Sequence, residues 1–280
     1  MSVGLISLLI AIGSFGAGFL GALTGLGGGV VIVPMLTLFM GVDIRYAIGA
    51  SLVSVIGTSS ATGATYVRDG YSNIRVGMFL EVATTAGAIG GAFLAVFLPI
   101  ATLSIVMGIV LILSAYLSVR KKDEQADPQP SRLANRLRLH SSYPTPEGPK
   151  SYHVTGVPGG FIVMAIAGAL SGLLGIGSGA LKVLAMDHAM KLPFKVSTTT
   201  SNFMTGVTAA ASAGIYLHRG YIDPIIAMPV ILGILVGATL GARVLKGAKP
   251  KALRYIFAVV IVLLGVQMLY HGFSGGFDSV

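Results

Sequence analysis

Apolar stretches of about 20 residues recur along this 280-residue chain, and they constrain its fold more than any other feature. A helix rises about 1.5 Å per residue, so a stretch of this length crosses a hydrocarbon layer about 30 Å thick. Hydrophobic residues make up 54% of the chain and charged residues only 10%, which is too little charge for a soluble protein of this length. The sequence therefore predicts an all-α polytopic membrane protein.

The apolar segments fall into two groups that are separated by a polar, proline-rich stretch. They cover residues 3–23, 30–40, 46–67, 74–98 and 100–119, and then 159–175, 179–190, 196–217, 222–245 and 251–271. We divide the chain into a first transmembrane repeat (1–119), a basic cytoplasmic linker (120–158) and a second transmembrane repeat (159–280). Within the linker, Leu133 and Leu137 are spaced for one interfacial helix, and a plain solvated linker is the alternative.

The two halves match each other at a constant offset of 150 residues without a gap. The matching pairs are Gly25 and Gly175, Gly27 and Gly177, Gly29 and Gly179, Ser51 and Ser201, Thr58 and Thr208, Tyr66 and Tyr216, Gly70 and Gly220, Tyr71 and Tyr221, Gly87 and Gly237, and Gly91 and Gly241. An abundance of glycine does not by itself align a Tyr, a Gly and a Tyr in one loop. The chain is therefore an internal duplication, as in many transporters.

The distribution of basic residues predicts how the halves are oriented. If each glycine-broken pair of segments forms a hairpin, each half crosses the membrane an odd number of times and the halves are inverted. Most Lys and Arg residues then lie inside with the linker, and Arg45 and Arg219 lie outside. The positive-inside rule favours this arrangement over parallel halves. We predict two inverted-topology repeats, each a glycine-broken helical hairpin plus three transmembrane helices, with both termini outside.

Glycine-rich breaks interrupt the apolar sequence at equivalent places in the two halves. The first is TGLGGGVVIVPML (24–36), and its counterpart is GIGSGALKVLAM (175–186). In lipid, a broken backbone is tolerated only where protein or a water-filled cavity satisfies its polar groups. Helices that restart there direct unpaired N–H groups and a positive dipole end inward, which predicts a site for a small anion. Close helix packing is the alternative explanation. The residues predicted to form the site are Gly27, Gly28, Gly29, Gly177, Ser178 and Gly179.

Lys182 is a cation near the restart of the second broken helix, where it can pair with an anionic substrate. Snorkelling to the cytoplasmic face and pairing with Asp187 are the alternatives. Ser51, Ser201 and Asn202 lie near the starts of the segments that follow the breaks. Their hydroxyl and amide donors can complete an oxyanion cage, or the hydroxyls can satisfy helix carbonyls.

Glu81 lies about two helical turns into its segment from the predicted inside face. Intramembrane carboxylates often relay protons in transporters, so coupling to a proton gradient is a hypothesis for Glu81. Pairing with Arg75 or another basic residue is the structural alternative.

Four stretches carry a family resemblance: TGLGGGVVIVPML and AIGASLVSV in the first half, and GLLGIGSGALKVLAM and VSTTTSNFM in the second. They resemble the TauE/SafE family of membrane transporters, over nearly all of both halves but not the linker. The resemblance implies export of sulfite or small organosulfonates, or transport of a related sulfur-containing anion, across a bacterial inner membrane. Two departures make the site asymmetric, because Leu184 and Lys182 stand where the first half has Pro34 and Ile32.

We therefore expect an inner-membrane secondary transporter that exports a small sulfur-containing anion by alternating access between the broken helices. A passive anion channel is the alternative, because the same donors would line a pore. An enzyme is not expected, because Ile176 and Ala180 break the serine-hydrolase pattern around Ser178. His188 lies ten residues further on, about 15 Å away along a helix, which is too far for a base.

The composition also limits the partners. The chain has no cysteine, which excludes disulfides and Cys-ligated metals, and no cofactor or metal site is expected. Its net charge of +9 fits basic cytoplasmic loops better than nucleic-acid binding, because no basic cluster is interleaved with a recognition motif. The expected partners are a small anionic substrate and membrane lipid, and a homodimer is left open.

Overall fold

The structure is a computed structural model, and it describes residues 3–24, 28–68, 70–119, 131–145, 148–245 and 250–274. The helices are α1 (Val3–Thr24), α2 (Gly29–Pro34), α3 (Ile44–Arg68), α4 (Ile74–Ala95), α5 (Ile100–Val119), α6 (Arg132–Arg136), α7 (Val157–Leu174), α8 (Gly179–Leu184), α9 (Phe194–His218), α10 (Pro224–Leu245) and α11 (Pro250–Ser274). π-Helical segments, Met35–Phe39 and Ala185–Ala189, continue α2 and α8. Two antiparallel strands, β1 (Ser141–Thr145) and β2 (Gly148–Tyr152), form a hairpin.

Five of the described helices are long and apolar enough to cross a membrane, by length and composition. Their membrane-crossing parts are Gly4–Gly21, Ile74–Ala95, Ile100–Leu117, Val157–Leu174 and Pro224–Gly241. Large apolar side chains such as Met78, Val82 and Leu263 are exposed on these and neighbouring helices. Such a surface suits lipid, which solvates apolar side chains but not backbone polar groups. A helical polytopic membrane protein is therefore confirmed.

The second half of the chain repeats the elements of the first half at the spacing found in the sequence. The bounds of α2, α3 and α4 lie 150 residues before those of α8, α9 and α10. Left-handed turns repeat as well, because Gly70 and Gly220 have φ angles of 74° and 75°, and Gly41 and Lys191 have 64° and 60°. The correspondence between the halves thus extends from sequence identities to helix ends and backbone turns.

The helices of the two halves are packed against each other in matching pairs. α1 of the first half packs along α10 of the second, and α4 packs along α7 in the corresponding way. A Cβ atom on Gly87 would lie 2.1 Å from the carbonyl oxygen of Ala165, and one on Gly237 would lie 2.1 Å from that of Phe15. Gly87 and Gly237 are 150 residues apart, and so are Phe15 and Ala165. Both helix pairs therefore use glycine to bring their backbones together.

The two most polar long helices, α3 and α9, pack against each other in the middle of the bundle. They bury the hydroxyl side chains of Ser51, Ser54, Thr58, Ser59, Thr199, Thr200, Ser201, Thr205, Thr208 and Ser212. Each helix has 25 residues, which is enough to cross a membrane, although neither is among the apolar candidates for a span. Polar side chains at membrane depth face the bundle interior, so this pair forms the centre of the protein.

The linker is folded onto the bundle through Asn73, the residue that caps α4. The side-chain amide of Asn73 donates to the carbonyl of Leu139 at 2.9 Å and to the hydroxyl of Tyr152 at 2.8 Å. Its backbone N–H donates to Thr200 on α9 at 3.0 Å, and its side-chain oxygen accepts from the N–H of Val76. Burial raises the pKa of Tyr152 to about 12, so the phenol keeps its proton.

The hairpin is a finding that the sequence analysis did not predict. Proline occupies one position in each strand, at Pro144 and Pro149, which weakens any strand signal in the sequence. The linker contains a short helix, α6, in which Ala134 is buried, while Leu133 and the following Leu137 are about two-fifths exposed. An interfacial position of this helix stays a prediction. The described part of the linker is therefore a folded cap on one end of the bundle.

A pair of substitutions in α4 tests the glycine packing. Gly87→Ala is expected to lower the thermal unfolding midpoint in detergent, because the added Cβ meets the backbone of α7 and overpacking costs about 1–3 kcal/mol. Gly90→Ala is the control three residues away, where a Cβ meets nothing within 4 Å, and it should leave the midpoint unchanged or higher. Equal effects of both substitutions would contradict this packing.

Candidate functional site

The break in the second half, between α7 and α8, consists largely of left-handed backbone. Gly175, Gly177 and Ser178 have φ angles of 67°, 70° and 44°. Gly175 ends α7 in the conformation common at helix C-termini, and its N–H donates to the carbonyl of Ser171 at 2.8 Å. Backbone geometry therefore requires glycine here, whereas Ser178 adopts a conformation that is unfavourable for a residue with a Cβ.

The break in the first half is described only from Gly28 onward, so the predicted site residue Gly27 lies outside the described residues. A Cβ on Gly28 would lie 2.3 Å from Cδ1 of Ile234, and one on Gly29 would lie 2.6 Å from Cγ2 of Val55. Both glycines thus allow close packing, which is the alternative that the sequence left open. Their contribution to an anion site stays a prediction.

Ser51 and Ser201 hold the two breaks in equivalent ways. The hydroxyl of Ser51 lies within hydrogen-bonding distance of the carbonyls of Gly29 (3.2 Å) and Gly175 (2.7 Å). The hydroxyl of Ser201 donates to the carbonyl of Gly179 at 3.2 Å. These serines satisfy backbone carbonyls at the broken ends, so they would have to rotate to donate to an anion, and that role stays a prediction.

Asn202 is half-buried and follows Ser201 on α9. Its backbone carbonyl accepts a hydrogen bond from the hydroxyl of Ser59 on α3, which in turn accepts from the N–H of Gly206 at 2.9 Å. In a regular helix, the N–H of Gly206 would donate directly to the carbonyl of Asn202. Here the Ser59 hydroxyl accepts from the first and donates to the second. The predicted anion contact of the Asn202 side chain stays a prediction.

Lys182 is completely buried, and its ammonium group donates to the hydroxyl of Thr208 on α9 at 2.7 Å. The Thr208 hydroxyl donates to Oε1 of Glu81 on α4 at 2.6 Å, and the ammonium also interacts electrostatically with this carboxylate. The hydroxyl of Thr85, one turn along α4, donates to the same oxygen at 3.2 Å. Two residues that the sequence analysis treated separately thus belong to one buried network.

This network bears on the alternatives for its two charged members. Lys182 has no exposed surface, so its ammonium group is held inside the protein rather than at a membrane face. Arg75, the basic residue considered for Glu81, donates instead to the backbone carbonyl of Arg138 at 3.3 Å. Lys182 and Glu81 are therefore linked through the Thr208 hydroxyl, and the pairing of Lys182 with Asp187 stays a prediction.

Several buried side-chain oxygens have no hydrogen-bond partner among the described residues, and two of them bear on this network. One is Oε2 of Glu81, and the other is the hydroxyl of Ser178, which is 3% exposed. The carbonyl of Ser178 accepts from the N–H of Lys182 at 3.0 Å, so these residues are one helical turn apart. Unpaired buried polar atoms are uncommon, and one explanation for them is a ligand or proton that binds there.

The network exists only once in the duplicated chain. At the offset of 150 residues, Lys182 corresponds to Ile32, Thr208 to Thr58, and Glu81 to Ile231. Neither isoleucine can carry a charge, so the repeat supplies a symmetric scaffold for an asymmetric site. Glu81 comes from the first half, and Lys182 and Thr208 come from the second half.

Sequence reasoning missed Thr208 and Thr85 as site residues. Thr85 follows Glu81 by four residues on the same helix, which is a spacing that places two side chains on one face. Thr208 had only its match with Thr58 to single it out, because its contacts with α4 and α8 arise from tertiary packing. Helical spacing alone would therefore have found one of these two threonines.

A model of the family described as sulfite exporter TauE/SafE matches residues 9–268. The chain is 29% identical over 272 residues to the probable membrane transporter protein YunE of Bacillus subtilis (strain 168), covering 95% of this chain and 97% of the relative. It is 24% identical over 268 residues to YdhB of the same strain, covering 94% and 100%. It is 26% identical over 281 residues to MJ0441 of Methanocaldococcus jannaschii, covering 95% and 96%. No solved structure gives a significant match.

Thr208→Val tests whether the hydroxyl bridge stabilises the buried charges. The substitution keeps the shape of the side chain but removes hydrogen bonds from Lys182 and Glu81, and a buried group left unpaired costs about 1–3 kcal/mol. We expect a clear drop in the thermal unfolding midpoint in detergent. Thr205→Val is the control, because the Thr205 hydroxyl donates to the carbonyl of Ser201 in its own helix. A Thr208→Val protein as stable as the control would show that the bridge is dispensable.

Proposed function

The chain belongs to the sulfite exporter TauE/SafE family of membrane transporters, and on this premise we propose that it exports a small sulfur-containing anion, such as sulfite or an organosulfonate, across a bacterial inner membrane. The resemblance found in the sequence is confirmed by the family match, which covers both halves. Transport is also what the names of the relatives state.

The observation that carries the proposal is the buried network of Lys182, Thr208 and Glu81. Of the side chains whose exposure the structure describes, Lys182 is the basic one that is fully buried. An ammonium group at membrane depth is costly, and such groups commonly mark substrate or ion pathways. Lys182 and Thr208 offer an anion a positive charge and a hydroxyl donor, and the unpaired hydroxyl of Ser178 lies one turn from Lys182.

This donor set favours an oxyanion as the substrate. Ammonium and hydroxyl groups form short, charge-assisted hydrogen bonds to anionic oxygens. Lys acts as a point charge rather than a planar fork, so the site need not be matched to a flat carboxylate. Sulfite, which the family description names, and the sulfonate group each carry three oxygens in a pyramidal arrangement around sulfur. This shape supports sulfur oxyanions as the substrate class.

Alternating access between inverted halves is the proposed mechanism. The packing of α1 along α10 is matched by the packing of α7 along α4, which supports a two-fold relation between the halves. The distribution of basic residues supports an axis in the membrane plane, with the linker inside and both termini outside. Since Glu81 comes from one half and Thr208 and Lys182 come from the other, a rocking motion would change the hydrogen bond between Thr208 and Glu81. This dependence on relative motion favours a carrier over a passive channel.

Transport by purified protein in liposomes tests the proposed function. Wild-type protein is expected to give saturable flux of sulfite or methanesulfonate, and a raised thermal midpoint in their presence. Lys182→Met should weaken binding at least tenfold, about 1.4 kcal/mol, because it removes the buried cation while keeping the side-chain length. Lys150→Ala, which removes an exposed cation on the linker hairpin, should behave like the wild type.

The outcomes separate three possibilities. Saturable flux that depends on Lys182 supports an anion carrier. Flux that rises linearly with concentration and shows no counterflow would support a channel instead. An absence of both flux and binding for sulfite, methanesulfonate, taurine and acetate would rule out the proposed function.

A further inference from the structure

Glu81 is placed to compete with an anionic substrate. Oε1 of Glu81 accepts hydrogen bonds from Thr208 and Thr85, at 2.6 Å and 3.2 Å, and Oε2 has no hydrogen-bond partner among the described residues. Glu81 as a whole is 9% exposed, and its Oε2 atom is buried. It therefore uses the Thr208 hydroxyl and the positive charge of Lys182, the same groups that an anion would need.

The surroundings of Glu81 contain few other charges. α7, which packs along α4, carries no titratable side chain. α9 carries Lys195 and His218 near its two ends, with Tyr216 beside the latter. Lys182 on α8 is the charged residue known to interact with Glu81, although Asp187 and His188 lie further along the π-helical segment that continues α8. On α4 itself, Arg75 lies at the first turn and donates to the linker.

Charge balance then links substrate binding to protonation. Lys182 and Glu81 together are neutral while the ammonium and the carboxylate are both ionised. A bound monoanion would leave one uncompensated negative charge in a buried site, which is strongly unfavourable. One proton on the carboxylate restores neutrality. The proton binds at Oε2, which accepts from no donor among the described residues.

We propose, on the basis of the proposed function, that Glu81 is the proton-coupling site, where an arriving monoanion displaces the carboxylate from Thr208 and Lys182 as the carboxylate takes up one proton. Thr208 acts as a positioning residue that turns its hydroxyl from Glu81 to the anion. Release of the anion reverses both steps, and the carboxylic acid returns its proton as it rejoins Thr208. The transported unit is thus one proton with one monoanion, and no net charge moves.

This stoichiometry determines what drives net transport. Anion and proton move in the same direction, so the combined gradients of the two set the direction. Export proceeds when the ratio of the anion concentration inside to that outside exceeds the ratio of the proton concentration outside to that inside. A membrane potential alone should have no effect, because the transported unit is neutral.

The test uses wild-type protein in liposomes with methanesulfonate, which remains a monoanion across the pH range used. A pH difference of about one unit, acidic outside, should drive about tenfold accumulation inside, because each anion carries one proton. A pH dye in the lumen should record one proton entering per anion. Glu81→Gln should retain methanesulfonate exchange at equal pH but lose both accumulation and proton entry, whereas Asp223→Asn, at the start of α10, should match the wild type.

The failure of this inference differs from the failure of the proposed function. Wild-type flux without proton entry would overturn the coupling and leave the carrier standing, and this measurement does not depend on a variant that folds. Accumulation by Glu81→Gln equal to that of the wild type would also overturn the inference. Wild-type protein that moves no methanesulfonate, sulfite or taurine would overturn the proposed function and the inference together.

Discussion

A buried ammonium group is the constraint on which this structure depends. Lys182 has no exposed surface, and an isolated charge is too costly to keep inside a membrane-spanning bundle. The protein compensates with a hydroxyl from α9 and a carboxylate from α4, which must therefore meet α8 in one place. The polar helices α3 and α9 occupy the centre, and helices with exposed apolar faces surround them. The arrangement of the bundle is what allows this one charge to exist where it does.

The duplicated scaffold and the unduplicated site have different roles. Ser51 and Ser201 bind the carbonyls of Gly29 and Gly179, so both breaks are held by the same kind of contact. The charged network has no second copy, since isoleucines replace Lys182 and Glu81 in the other half. Symmetry therefore explains how the backbone can be broken twice, and asymmetry confines the buried charges to one network.

Much of the fold could be predicted from the sequence, because hydrophobic length and the internal repeat act locally or at a fixed spacing. The breaks, the long helices and the two equivalent loops that contain Gly70 and Gly220 were all visible in this way. The β-hairpin was not, because its proline-containing strands are defined by pairing and by contacts with Asn73. The link between Lys182 and Glu81 also depends on tertiary packing that no spacing encodes. Sequence identified both charged residues, and only the structure connected them.

The most direct test of the central claim is the accessibility of the site from the two sides of the membrane. The chain has no cysteine, so Ser178→Cys introduces a single thiol one turn from Lys182. In oriented vesicles, a membrane-impermeant thiol reagent should label this cysteine from either side, and saturating methanesulfonate should slow both reactions. Labelling from one side alone, or labelling that methanesulfonate leaves unchanged, would contradict an alternating-access anion site at Lys182.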